Sequence, residues 1–364
     1  MPRGGGFERA RLDGFRLDAV KHVPLDFWAT WARDTRRGFE GVTLLGEMLD
    51  GDPSVVSAAW RDGGFTAMFD FPLGFAMNDV FCRGERPTKL AAVLANDRRY
   101  PDPSQLVTLL DNHDLPRVMS ACRNDVGRVR QALGFMVAMR GIPSVTWGTE
   151  VGLEGAKEPD NRKSMVFAPH VLKDDLTFWL AARRQHPALS DGVPVVLSAS
   201  SEGVVVGRVS PSQLAVVVVG RGGVRPRVEG APWDAASLEL VPPSPVGRSD
   251  LGVFVSDVRP GAWESLFREA DTQWRRAAKR KTITFEGPSD TLVVGSGPEL
   301  GDWNPARARP LPVTLELPEG AVFEFKAVRR AGATTTWAEG DNGVLFVEPT
   351  GPAKVVVPAR FPRR

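Results

Sequence analysis

An α/β segment followed by β-rich modules is the fold class that this sequence predicts. Three observations carry it. Up to Pro187, apolar strand-like runs alternate with helix-like runs, the pattern of parallel β/α units. Acidic and polar residues gather at the carboxyl ends of those runs, where a β/α barrel places its active site. After Pro187 the alternation stops, and short β-type runs separated by turns take over.

The strand-like runs of the first segment are 14–19 (GFRLDA), 42–48 (VTLLGEM), 65–70 (FTAMFD), 105–111 (QLVTLLD) and 142–147 (IPSVTW). Helices are predicted near 23–37, 75–81, 88–96, 126–140 and 173–186, the last with Asp174 and Asp175 in its first turn and an end before Pro187. Closely spaced strands at 193–198, 203–209 and 213–219 predict an antiparallel sheet. The stretch 241–249 (VPPSPVGRS) reads as a loop, and 261–280 as an amphipathic helix ending in the basic run AAKRK. From Thr282 a second β module begins. The predicted divisions are therefore 1–189, 190–258, a helical linker at 259–281, and 282–364.

Forty-six basic residues balance 44 acidic ones, for a net charge of +2, which gives no electrostatic reason to expect nucleic acid or an anionic membrane as partner. No apolar run approaches the roughly 20 residues of a membrane span. The opening MPRGGGFERARLDG has no apolar stretch of signal-peptide type. Cys82 and Cys122 are the two cysteines, either free thiols or one disulfide.

Four carboxylates sit near strand ends: Asp18, Glu47, Asp111 and Asp114. Glycoside hydrolysis needs one carboxylate as nucleophile or base and one carboxylic acid as proton donor. Arg16 lies two positions before Asp18 and so on the same strand face, where its guanidinium can keep that carboxylate ionised. Glu47 ends an apolar strand, a setting that raises a carboxyl pKa and suits a general acid. Asp114 follows His113, a candidate sugar-hydroxyl partner. The plainer alternative is that each acid caps the helix that follows it.

Four motifs in order make the reading specific. GFRLDAVKH (14–22), GEMLD (46–50), LLDNHD (109–114) and GIPSVTWGTEVGL (141–153) resemble the conserved regions and last barrel strand of the α-amylase family, glycoside hydrolase family 13. EPDNRKSM (158–165) is similar to the substrate-side loop that follows. The resemblance covers roughly residues 10–190. It implies Asp18 as nucleophile, Glu47 as general acid/base and Asp114 as transition-state stabiliser. Arg16 would position Asp18, His113 would contact the sugar, and Lys21 and His22 would line the leaving-group side. Retention through a covalent glycosyl-enzyme would place the two working carboxyls about 5–5.5 Å apart.

The last module carries a second resemblance. VVGSGPELGDWNP (293–305), FEFKAV (323–328) and TTWAEGDN (335–342) are similar to a starch-binding domain, carbohydrate-binding module family 20, a β-sandwich. It implies Trp303 and Trp337 as a stacking platform, with Lys326 and Asn342 hydrogen-bonding hydroxyls. The alternative is that both tryptophans are core. Tyr100 is the only tyrosine, so a second, tyrosine-based sugar site is not expected.

The family's first conserved region has no counterpart ahead of Gly14, so the sequence reads as strands 4 to 8 of a (β/α)8 barrel, truncated at its amino end, with the first strand an exposed edge. Implied partners are starch and α-1,4-glucan oligosaccharides. No cofactor is expected with certainty, and calcium belongs at most to a full-length, secreted form. Three functions stay open: a starch-hydrolysing enzyme, a cyclodextrin-forming or other transglycosylase, and an inactive starch-binding fragment. As it stands the chain is expected to turn over soluble starch weakly or not at all.

Overall fold

The computed structural model describes residues 12–200, 203–220, 239–240, 251–257, 268, 270, 279–332, 334–348 and 351–362. Five parallel strands form the first sheet: β1 (Gly14–Leu17), β2 (Thr43–Gly46), β3 (Ala67–Phe69), β4 (Leu106–Leu109) and β5 (Ile142–Ser144). Their spatial order is the chain order, β1-β2-β3-β4-β5. Each step is made by helices: α1 (Leu25–Gly38), α2 (Pro53–Gly63), α3 (Phe71–Met77), α4 (Thr88–Leu94), α5 (Val118–Ala121) and α6 (Val126–Ala138), with α7 (Val171–Gln185) and α8 (Pro187–Ser190) after β5. All five strand-like runs become strands, but each is shorter than predicted.

The helix α2 has no counterpart among the predicted elements. Its start is nevertheless conventional: the Asp52 side chain accepts from Ser54 N–H at 2.7 Å and Pro53 occupies the first turn. The sheet is tied from beneath by a buried ionic cluster. Arg140, which leads into β5, donates through Nε to Asp97 at 2.7 Å and also pairs with Asp70. Asp70 in turn caps α3 through the Leu73 N–H. Cys82 and Cys122 are joined as a disulfide, which resolves the alternative left open by the sequence.

Strands β6 (Val193–Ser200), β7 (Gly203–Val209), β8 (Gln213–Gly220), β9 (Glu239–Leu240) and β10 (Leu251–Asp257) form an antiparallel sheet of order β6-β7-β8-β10-β9. Its apolar face shares one core with α3 to α8, where Phe135, Leu133 and Trp179 meet Val206, Val217 and Val253. The predicted loop at 241–249 and nearly all of the predicted helical linker lie outside the described residues. The linker's last two positions are corrected: Arg280 and Lys281 open a strand rather than end a helix, because the alternation of RKTITFE pairs them antiparallel to Pro318 and Leu317.

The last module has two sheets. One runs β14 (Val313–Pro318), β11 (Arg280–Glu286), β18 (Lys354–Val356). The other runs β13 (Arg309–Pro310), β12 (Leu292–Gly295), β15 (Val322–Ala331), β16 (Thr334–Trp337), with β17 (Gly343–Phe346) also on β15. Ile283 and Phe285 from the first sheet and Phe323, Phe325 and Leu345 from the second bury one another. No helix among the described residues is long and apolar enough to cross a membrane.

Candidate active site and carbohydrate site

The β1–β2 register brings together the candidate catalytic pair. Leu17 lies opposite Gly46, and the ladder continues as Glu47 N–H donates to the Leu17 carbonyl at 3.0 Å and Val20 N–H to the Glu47 carbonyl at 3.1 Å. Asp18 and Glu47 therefore leave adjacent strands side by side. Asp18 opens outward, helped by the left-handed Ala19 (φ 51°), and its side chain is 70% exposed, whereas Glu47 is 6% exposed.

Arg16 serves both. Its Nη2 donates to Glu47 Oε2 at 2.7 Å and lies 3.3 Å from Asp18 Oδ1. The expectation that Arg16 attends Asp18 is thus incomplete, since its shorter contact is to Glu47. The two carboxyls also share a hydrogen bond with one another. That bond, followed by the Arg16 charge, holds Asp18 below the usual carboxylate range. Burial first, then the same bond, pushes Glu47 up against the opposing pull of Arg16. The two shifts run in opposite directions, Asp18 toward its charged form and Glu47 toward its protonated form.

Asp114 comes from the loop after β4. Arg162 Nη2 donates to it at 2.7 Å, and His113 Nε2 lies 3.2 Å from its other oxygen. The charge of His113 is the last and least cause of the low pKa of Asp18. Arg162, within EPDNRKSM, was not singled out from the sequence; its Nε holds the His113 carbonyl at 3.0 Å while the same guanidinium grips Asp114. Lys21 is paired with Asp50 at 3.2 Å, and His22 is exposed on the same turn. Asp111 proves to be structural: it is buried, accepts from the Val118 N–H at 2.7 Å and lies 3.2 Å from Arg117 Nε. Among the described residues no group of three or more His, Cys, Asp or Glu is arranged to hold a metal.

In the last module Trp303 and Trp337 are neighbours, with ring centroids 6.3 Å apart at 42°. Trp337 is 38% exposed and Trp303 half-buried, so neither is simply core. Trp303 sits on a strained turn: both Asp302 (φ 53°) and Trp303 (φ 56°) are left-handed, and Trp303 N–H donates to the Gly295 carbonyl at 2.8 Å. Lys326 reaches the Gly340 carbonyl at 2.7 Å and Asn342 the Glu324 carboxylate at 3.2 Å. The four predicted residues thus lie around one edge of the sandwich, the two polar ones already satisfied by protein groups.

This edge is not free-standing. Arg86 pairs with Asp341 and donates to the Asn342 carbonyl at 3.2 Å; Thr88 donates to Glu324 at 3.1 Å; Arg98 meets Glu299 at 3.0 Å; and Arg99 pairs with Asp302. Partners some 200 to 256 residues apart carry no local signature in the sequence.

Comparison with known proteins agrees with this layout. Residues 7–183 match the family described as alpha amylase, catalytic domain, and residues 281–356 the family described as starch binding domain. A beta/alpha-amylase of Paenibacillus polymyxa is 34% identical over 189 residues, covering 50% of this chain and 15% of that protein. An intracellular maltogenic amylase of Bacillus subtilis is 30% identical over 188 residues, 49% of this chain and 31% of that protein. A cyclomaltodextrin glucanotransferase of Niallia circulans is 30% identical over 192 residues, 50% of this chain and 26% of that protein. The chain thus spans between 15% and 31% of the length of these relatives. Among solved structures, an Anoxybacillus alpha-amylase superposes with a TM-score of 0.56 at 22% identity, covering 95% of this chain and 61% of that one, a likeness of fold. The cyclomaltodextrin glucanotransferase CldA gives 0.54 at 28% identity, covering 59% of this chain and 46% of that one. Through residues 7–183 the chain is a member of the α-amylase family, glycoside hydrolase family 13, and through residues 281–356 it carries a module of the starch-binding family.

Proposed function

We propose that this chain contributes the catalytic carboxylates of a retaining glycosidase that hydrolyses α-1,4-glucosidic bonds of starch, with the last module binding the same polymer. The five parallel strands correspond in this reading to strands 4 to 8 of a (β/α)8 barrel, and the chain divides into modules near residues 189, 258 and 281. The observation that carries the proposal is the Arg16-bridged pair, an exposed Asp18 beside a buried Glu47, with the first carboxyl shifted toward its charged form and the second toward its protonated form. That is the division of labour a double displacement needs.

Glu47 gives its proton to the glycosidic oxygen as the bond to the anomeric carbon breaks, and Asp18 attacks that carbon to form the covalent glycosyl ester. Water then enters, loses its proton to the Glu47 carboxylate, and displaces Asp18 with a second inversion. Asp114, fixed by Arg162, faces the positive charge that develops on the sugar ring, and His113 offers a hydroxyl contact. Lys21 and His22 line the leaving-group side. The exposure of Asp18 favours water over a sugar hydroxyl as acceptor. Transfer is the second reading, supported by the resemblance to a glucanotransferase. Starch as the substrate goes with secretion in this reading.

The test is incubation with soluble starch and maltoheptaose, with product anomers followed by NMR from the first minutes. Hydrolysis releases α-anomers, and Asp18→Asn abolishes the signal. Cyclic or lengthened products assign transfer instead. A folded chain that binds starch but forms no product, and no trapped ester on Asp18, supports the binding-only reading.

A further inference from the structure

We propose that the interface between the last module and the first sheet forms an additional α-glucan subsite, shared between the two; it rests on the starch-binding reading above. The observation is a cavity of about 310 Å3 walled from both sides. Trp303 and Glu324 come from the last module; Phe75, Asp79, Lys89 and Asn96 come from the first segment. Its volume is at the lower end of the roughly 300–1,000 Å3 of small-molecule sites.

Its lining has the chemistry of a sugar site. A pyranose presents apolar C–H faces and a rim of hydroxyls that both donate and accept. Trp303 and the half-buried Phe75 supply flat apolar walls, and Phe75 is held in place by Phe71, whose ring lies 5.9 Å away. Asp79 and Lys89, themselves paired at 2.7 Å, supply an acceptor and a donor at the same wall. Apolar walls with a polar rim match a ligand that is itself apolar on its faces and polar at its edge.

Two further features aim the cavity at a glucan. The strained turn at Asp302 and Trp303 gives one indole two neighbours, Trp337 on one hand and the cavity on the other. Left-handed non-glycine residues persist only where surroundings hold them, here through the Arg99–Asp302 pair and the Trp303–Gly295 hydrogen bond. A chain stacked on the Trp303–Trp337 platform can therefore continue into the cavity without leaving aromatic surface. The opposite wall is made by Gly51, Asp52 and Pro53, the loop that leaves Glu47, and by the first turns of α3 after β3. Residues 51–53 and the start of α3 both follow strands at the carboxyl end of the sheet, the end that bears the proposed catalytic pair.

The experiment uses the full chain and maltoheptaose as probe. Affinity is read by calorimetry and contact by hydrogen exchange of the 71–96 segment, for wild type, Phe75→Ala, Lys89→Met and Trp337→Ala. Wild type should bind, Trp337→Ala should weaken binding, and ligand should protect 71–96. Phe75→Ala and Lys89→Met should each weaken binding about two- to tenfold with the circular dichroism spectrum unchanged. Lys89→Met keeps its aliphatic stem and decides the matter if Phe75→Ala disturbs the fold. If Trp337→Ala weakens binding while Lys89→Met binds as wild type and 71–96 gains no protection, the shared subsite is overturned and starch binding stands. If wild type fails to bind maltoheptaose at millimolar concentration, the starch-binding reading falls and takes the subsite with it.

Discussion

The catalytic end of the first sheet and the aromatic edge of the last module are both sugar sites in the proposed reading, yet they are assembled in opposite ways. The catalytic pair depends on register. Asp18 and Glu47 come from different strands, and their meeting follows from Leu17 standing opposite Gly46. Their properties are electrostatic: one guanidinium touches both, while burial of Glu47 and the hydrogen bond between the two push their pKa values apart. The platform depends on shape. Trp303 and Trp337 need only be held at the right angle, and a strained turn beside a strand does this. A site built on charge fails when one partner is changed; a site built on surface loses area in proportion.

The largest effect that would test this contrast is at Glu47. Glu47→Gln should lower starch hydrolysis about 10²–10⁴-fold while leaving starch affinity unchanged, read from product release and calorimetry on the same preparation. Equal loss of affinity would show that the two sites are not separable. Next is the support beneath the sheet. Arg140→Ala strands Asp70 and Asp97 in the interior and should cost about 3–5 kcal/mol, measured by urea unfolding. A loss below 1 kcal/mol would mean that water reaches the cluster. Trp337→Ala should weaken starch binding by about 1 kcal/mol, roughly fivefold, with turnover of short soluble substrates unaltered.

The smallest effect is a displacement of the pH profile. Activity needs Asp18 ionised, which sets the acid limb, and Glu47 protonated, which sets the alkaline limb. Arg16 lowers the pKa of both carboxyls, so Arg16→Gln should move both limbs to higher pH as well as reduce the rate. Movement of only the acid limb would assign Arg16 to Asp18 alone, as the sequence first suggests.

How much of this is legible beforehand varies with distance along the chain. The strands of the first sheet are legible because four of the five are apolar runs that end near an acid, and those acids include two of the catalytic candidates, Asp18 and Glu47. Arg16 is legible as a neighbour of Asp18 through the strand period of two, but its bond to Glu47 depends on a register that no local pattern encodes. Asp111 and Asp114 sit in one motif and look alike; burial against Arg117 separates the structural one from the catalytic candidate. The helix Pro53–Gly63 has a capping aspartate and a first-turn proline, a readable signal that the β-branched Val55 and Val56 obscure. The clamps at Arg86, Thr88, Arg98 and Arg99 are illegible, since each side reads as an ordinary solvated charge or hydroxyl.

In the proposed reading those clamps have a consequence for product length. A binding module on a loose tether raises the local supply of polymer by an amount set by the tether. A module fastened at four points does something else: it becomes a gauge. The glucose unit anchored at Trp337 and the bond offered to Asp18 are then a fixed distance apart, and cleavage of an anchored strand falls at a preferred count of units from the anchor. Salt screens the exposed Arg86–Asp341 pair more than the half-buried ones, so rising ionic strength should first blur that count rather than slow the cutting.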